Sequence, residues 1–320
     1  MKAAIYDRYG PPEVVRIAEV PTPSPKDGEV LIRVHASTVS SADHRVRSLN
    51  LPAGFQLFGP LAFGIVRPRQ PILGTELSGV VEAVGKDVTS FRPGDHVFAF
   101  PGGSFGAHAE YRTMPADGRV ARAPASIPLV EAAALSFGGG TALHFLRKGG
   151  VRAGERILVN GASGAVGVAL VQLAHRLGAE VTGVCSGANA ELVRSLGADR
   201  VIDYTQGDIF ADGSRYDVVA DSVGTLPIAR ARHGLVPGGR LLGILGTLGE
   251  LVRAPFVRDI KVIAGPAEER AEDLGLFAQY VEDGTFRPVI DRTYRLEEIV
   301  EAHRYVDTGR KRGSVLVTIG

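Results

Sequence analysis

Residues 156–178, RILVNGASGAVGVALVQLAHRLG, constrain the fold more than any other stretch of the chain. An apolar, β-branched run leads straight into glycines at 161, 164 and 167, and an apolar segment of helical spacing follows. Strand, tight turn and helix in that order make half of a βαβ unit, the context a dinucleotide fingerprint requires. Read as x-x-G-x-x-G, the loop comprises Ala162, Ser163, Gly164, Ala165, Val166 and Gly167. Gly164 would let the backbone approach a pyrophosphate, and Gly167 would let the helix pack closely on the sheet. Free N–H groups at the helix start would face the phosphates. Ala162 stands where the usual pattern has its first glycine, with Gly161 beside it. A ligand-free turn is the plain alternative, and the surrounding pattern weighs against it.

That pattern alternates strands with helices. "EVTGVC" precedes "NAELVRSLG", and "RVIDY", "YDVVADSVG" and "GRLLGILG" follow. The alternation predicts a doubly wound parallel sheet of the Rossmann kind. Upstream, "KAAIYD", "EVLIRVHAS", "LSGVVEAVG" and "DHVFAF" are short β runs between Pro and Gly turns, which predicts a small barrel or sandwich. The Ala/Leu-rich "PLVEAAALSFGGGTALHFLRK" opens the second region, with Gly138 to Gly140 interrupting its helical spacing. The tail carries a helix, "EDLGLFAQYVEDG", and a last strand, "GSVLVTIG", expected to fold back on the first domain. The expected boundaries are 1–125 for the β-rich domain, 126–265 for the dinucleotide domain and 266–320 for the returning segment.

Charge and cysteine content narrow the function classes. A net charge of +1, with no basic stripe, gives no reason to expect nucleic acid. One cysteine, Cys185, rules out a disulfide framework and fits a reducing, cytoplasmic setting; it reads as a buried strand residue rather than a reactive thiol. The N-terminus lacks a signal-peptide core, and the apolar loop "LPAGFQLFGPLAFGIV" is too short and too broken to span a bilayer.

The strand after the glycine loop should end in an acid if the ligand is NAD, because a carboxylate holds the ribose 2′-OH. Its tip is Cys185-Ser186, with no acid. The neutral tip removes a repulsion toward a 2′-phosphate, and Ser186 and Tyr204 can donate hydrogen bonds to one. NADPH is therefore the expected cofactor. The Lys or Arg that usually helps is missing from the tip: Ala188 and Asn189 stand there, and Arg194 lies a turn further on. Thr141, Val223 and Gly246 complete the candidate cofactor contacts.

The order of these parts, with "AAAL…TAL", "VNGASGAVG" and "SLGADRVIDY", resembles the medium-chain dehydrogenase/reductase superfamily, specifically its zinc-independent quinone oxidoreductase branch that includes zeta-crystallin. The resemblance spans essentially the whole chain. It implies a GroES-like β-barrel catalytic domain, a Rossmann cofactor domain, an α/β class overall and a homodimer. Zinc members hold a catalytic metal with Cys, His and Cys. Here Ser40 takes the first of those positions, Thr75 the second beside Glu76, and Ser136 or a neighbour the third. Hydroxyls are poor zinc ligands, and the eight histidines are scattered, so no metal is expected.

A site without metal suits hydride transfer to an electron-poor carbon better than alcohol oxidation. The expected activity is reduction of a quinone or an enone, on a small apolar or flat carbonyl substrate. Ser40, Asp43 and Arg47 are the catalytic candidates around the nicotinamide mouth, with a helix cap and a surface ion pair as the plain alternatives for Asp43 and Arg47. Relatives of the enoyl-thioester and zeta-crystallin kind resemble this stretch but carry a tyrosine near Leu51; leucine cannot donate a proton, which weighs against an enoyl-thioester substrate. "LPAGFQLFGPLAFGIVRPRQ" reads as a mobile lid or as a packed insertion, and Phe100 and Phe105 as walls for a flat ring or as core. Two rival functions remain: a zinc-free alcohol or aldehyde oxidoreductase, and a non-catalytic NADPH-binding protein with a structural, RNA-binding or sensing role.

Overall fold

The computed structural model describes all residues, 1–320, and divides into two compact units. The first comprises Met1–Leu51, Gln56–Phe137 and Glu269–Gly320; the second comprises Pro52–Phe55 and Gly138–Glu268.

The first unit is built on strands β1 (Lys2–Ile5), β2 (Arg16–Glu19), β3 (Glu29–Val39), β4 (Leu77–Val84), β5 (His96–Ala99), β6 (Tyr111–Pro115) and β7 (Val120–Arg122), with helices α1 (Ser41–Ser48) and α2 (Gly59–Phe63). Strand β3 is its spine. It pairs antiparallel with both β4 and β6, and its apolar positions Val30, Ile32 and Val34 are buried in the core. A short turn at Leu129–Ala134 and the first residues of α3 (Ser136–Gly149) also belong here. The expected boundary at residue 126 therefore falls later, at Phe137. Helix α3 runs unbroken through Gly138 to Gly140, where an interruption was expected.

The second unit holds β8 (Arg156–Asn160), α4 (Ala165–Arg176), β9 (Glu180–Cys185), α5 (Ala190–Ser195), β10 (Arg200–Asp203), β11 (Tyr216–Asp221), α6 (Ile228–Ala231), β12 (Leu235–Gly243), α7 (Leu248–Arg253) and β13 (Lys261–Ala264). Its strands are all parallel, in the order β10-β9-β8-β11-β12-β13. Strand order reverses between β8 and β11. That is the topological switch point at which open α/β sheets bind ligands beyond the carboxyl ends of their strands.

The chain then returns to the first unit with α8 (Ala271–Glu282), β14 (Ile290–Arg295), α9 (Ile299–Asp307) and β15 (Ser314–Thr318). β15 pairs antiparallel with β3 and parallel with β14, and Val315 and Val317 join the same core as Val30 and Ile32. No helix is long and apolar enough to cross a membrane.

Candidate functional site

At the switch point, each glycine of the turn has a distinct job. Gly161 sits at φ +82, a conformation that a side chain disfavours. A Cβ on Gly167 would lie 2.0 Å from the Gly161 carbonyl oxygen, so α4 can approach the turn only because position 167 is bare. Gly164 differs: a Cβ there would meet only the Gly161 oxygen at 3.5 Å, an ordinary contact, and would otherwise enter open space. Gly164 is also the N-cap of α4, and no side chain caps that end. The first-turn N–H groups of α4 are therefore available to an anion. Gly138 of α3 passes so close that its Cβ would fall 2.3 Å from the Ala165 carbonyl oxygen. Ala162 is fully buried, with Gly183 of β9 beneath it.

Two residues missed from the sequence shape this end of the sheet. Asn160, closing β8, donates to Asp221 Oδ1 at 2.9 Å and to Thr225 Oγ1 at 2.8 Å. Asp221, closing β11, accepts from the backbone N–H groups of Val223, Gly224 and Leu226. The pair fixes the loop that carries Val223, which packs over Gly161. Polar residues at the ends of neighbouring parallel strands are the signal that could have found them.

The β9 tip needs a correction. Ser186 is tied to the turn through Asn189, whose Nδ2 lies 3.2 Å from both Ser163 Oγ and Ser186 Oγ. An acid does stand nearby: a Cβ on Gly187 would come within 2.5 Å of Asp203 Oδ2. Asp203 comes from β10, so reading β9 alone could not reveal it. Its carboxyl is held below the ordinary range, chiefly by hydrogen bonds from the Thr205 side chain and backbone. Tyr204 is exposed beside it, and the charge of Arg194 reaches Cys185. Cys185 itself is buried, which pushes its thiol up to about 11.

The first unit gathers the other candidates around two buried carboxylates. Ser40 is the N-cap of α1; its hydroxyl donates to Asp43 Oδ2 at 2.6 Å and accepts from the N–H groups of Ala42 and Asp43. Asp43 Oδ1 accepts from the Gly74 N–H at 2.7 Å. Glu76 Oε1 accepts from Thr38 Oγ1 at 2.6 Å, while Oε2 accepts from the N–H groups of Ser136 and Phe137 at the start of α3. Asp43 and Glu76 thus tie together the segments bearing Ser40, Thr75 and Ser136. Burial raises the Glu76 carboxyl to about 7; the hydrogen bonds from Thr38, Phe137 and Ser136 oppose the rise, and the Asp43 charge adds to it. Burial likewise draws the Lys311 ammonium down to about 8, against the pull of Glu76 and Asp291.

These hydrogen bonds sort the three hydroxyls. Ser40 is fully engaged. Thr75 Oγ1 and Ser136 Oγ are buried with no partner, a state that costs about 1–3 kcal/mol per group and calls for an explanation. Three hydroxyls do not make a zinc site, and no group of three or more His, Cys, Asp or Glu side chains is placed to hold a metal ion.

Arg47 does not sit at a mouth. Its side chain is buried, with Nη1 donating to the Gly10 carbonyl at 2.7 Å and Nη2 donating to both oxygens of Asp307. It ties α1 to α9: the guanidinium is buried, while Asp307 is partly exposed and also meets His44 Nδ1 at 2.6 Å. Phe100 and Phe105 are buried, and Phe105 belongs to the barrel core. Within the apolar loop, Leu57, Phe58, Leu61, Ile65 and Val66 are exposed.

A family model described as "Alcohol dehydrogenase GroES-like domain" matches residues 26–125, and one described as "Zinc-binding dehydrogenase" matches residues 196–317. The chain is 33% identical to the 2-methylene-furan-3-one reductase of Solanum lycopersicum, over 99% of its own length and 79% of the relative's. Among solved structures, the quinone oxidoreductase from Coxiella burnetii superposes with a TM-score of 0.89 at 27% identity, covering 100% of this chain and 99% of that one. The Escherichia coli quinone oxidoreductase complexed with NADPH superposes with a TM-score of 0.83 at 25% identity, covering 99% and 100%.

Proposed function

The chain belongs to the medium-chain dehydrogenase/reductase superfamily, in its quinone oxidoreductase branch, and from that premise we propose that it is an NADPH-dependent reductase that delivers hydride to a quinone or an activated alkene. One observation carries the reading. The same chain has an uncapped glycine turn at a sheet's switch point, and the resemblance puts hydroxyls where zinc members have metal ligands. That donor set gives no Lewis acid to ionise an alkoxide. An electron-poor carbon needs none, since it accepts hydride directly. The NADPH complex of the Escherichia coli enzyme and the enone in the tomato enzyme's name support the same class.

When bound, the reduced nicotinamide supplies the hydride. The chain's own residues bind and orient. The turn at Gly161–Val166 and the uncapped start of α4 hold the pyrophosphate, with Gly167 keeping the helix close. Ser186, Tyr204 and Arg194 donate to the 2′-phosphate, and Arg194 offsets the repulsion from Asp203. Thr141, Val223 and Gly246 line the remainder. On the substrate side, Ser40 and Asp43 are positioning residues, because both are saturated by the cap they form.

The test is oxidation of NADPH and of NADH with a panel of quinones, enones and aldehydes, each with and without a chelator. Turnover of quinones or enones by NADPH, unaffected by the chelator, is the expected result. Preference for NADH refutes the cofactor assignment. Aldehyde turnover abolished by the chelator refutes the metal-free mechanism. Tight NADPH binding without oxidation by any acceptor favours the non-catalytic reading.

A further inference from the structure

We infer that Thr75 and Ser136 are catalytic residues, whose hydroxyls receive the carbonyl oxygen of the substrate as it gains negative charge; the inference rests on the reductase reading above. Three hydroxyls lie in the segments tied by Asp43 and Glu76, and hydrogen bonding separates them. Ser40 has spent its proton on Asp43 at 2.6 Å, so it has no donor left. Thr75 Oγ1 and Ser136 Oγ each keep an unused donor, in side chains only 3% and 2% exposed.

Their setting is fixed on both sides. Asp43 accepts from Gly74, the residue before Thr75, and the Gly102 N–H donates to the Thr75 carbonyl at 2.9 Å. Glu76, the residue after Thr75, accepts from the Ser136 N–H at 3.0 Å. Donors held by such a frame need no reorganisation when charge develops, which is what makes hydrogen bonds effective in a transition state. Ser78, His108 and His303 also carry buried polar atoms without a partner, but within the frame tied by Asp43 and Glu76 the unpartnered hydroxyls are those of Thr75 and Ser136.

The step balances. Hydride adds to the electron-poor carbon and forms a C–H bond, and the π pair moves onto the carbonyl oxygen. The substrate is reduced, giving an enolate or hydroquinone anion, and the nicotinamide is oxidised. Thr75 and Ser136 donate hydrogen bonds to that oxygen and keep their own protons. A proton from water completes the product.

Four variants test this: Thr75→Val, Ser136→Ala, Thr75→Ser as rescue, and Ser78→Ala as control. Ser78 is another buried hydroxyl without a partner, on β4, outside this frame. Thr75→Val and Ser136→Ala should each lower kcat with an enone about 10- to 100-fold, with KM little changed. Thr75→Ser should restore most of the loss, and Ser78→Ala should match wild type. NADPH affinity should stay constant throughout. A second readout avoids turnover: titration with 4-nitrophenolate, an aryl oxyanion, should show about tenfold weaker binding in Thr75→Val and Ser136→Ala. Wild-type kcat and wild-type phenolate binding in both variants overturns the inference and leaves the hydroxyls as partners of ordered water. A wild-type protein that binds NADPH but reduces no acceptor fails at the reductase reading instead.

Discussion

Replacing Glu76 with glutamine should remove a pH dependence of stability that the wild-type chain carries between about pH 4.5 and 7. Burial raises this carboxyl from an ordinary 4.5 to about 7. Between those values the folded chain holds a proton that the unfolded chain has released, so wild-type stability falls as pH rises. Below 4.5 both states are protonated and the contribution is whole; above about 7 it is lost. The gap corresponds to roughly 3 kcal/mol, an order-of-magnitude figure. Glutamine fits the protonated geometry. Its oxygen can sit at Oε2 and accept from the Ser136 and Phe137 N–H groups, and its amide can sit at Oε1 and donate to Thr38 Oγ1. Urea unfolding of both proteins from pH 4 to pH 8 measures the difference, and every other titrating group is common to the two. Glu76→Gln should gain on wild type steadily as pH rises, reaching about 3 kcal/mol above pH 7. A difference that does not change with pH refutes the account of Glu76 as a carboxyl held neutral by burial.

Gly164→Val should fold normally, because its Cβ enters open space, yet raise the dissociation constant for NADPH at least about tenfold by calorimetry. Gly167→Val should instead fail to fold, since its Cβ would lie 2.0 Å from a carbonyl oxygen; a well-folded Gly167→Val contradicts the close approach of α4. Arg47→Ala should lower stability by about 1–3 kcal/mol in urea, since the Gly10 carbonyl loses its donor and Asp307 keeps only His44, whereas a collapse of kcat at unchanged stability would return Arg47 to the chemistry. His303 is buried with both ring nitrogens unpartnered and is held well below 6.5, first by burial and then by the charges of His108, Arg47 and His44. Because it must stay neutral when folded, stability falls as pH drops below 6.5; His303→Leu should flatten that acid limb in thermal melts at pH 4–7, and an unchanged limb counts against it.

The second unit was the more legible half in the sequence. A β-branched run, the glycine turn and a 3.6-residue apolar period fix β8 and α4 locally, and short apolar runs mark β9 and β11. Strand β13 is not legible, because KVIA is only four residues long and has no turn signature. β14 and α9 are hidden for a different reason. IDRTYR is half charged, and its strand character comes from pairing with β15 rather than from its own composition. The candidate site shows the same division. Gly164 and Gly167 follow from a local motif. Asp203 beside Ser186, Asn160 with Asp221, and Glu76 at the start of α3 are meetings of residues far apart in the chain, which periodicity and spacing do not encode. Arg47 is the least legible residue: the sequence reading groups it with Ser40 and Asp43, and only the packing of α9 reveals Asp307 as its partner.

The central claim, direct hydride transfer without a metal, is tested most directly by isotope tracing. NADPH carrying deuterium at one of the two nicotinamide C4 positions is incubated with the protein, an enone and a chelator, and the reduced product is analysed by mass spectrometry. We predict one deuterium at the former electron-poor carbon, from one of the two labelled forms only. Reduced product without deuterium from either form, or no product once the chelator is present, contradicts the account.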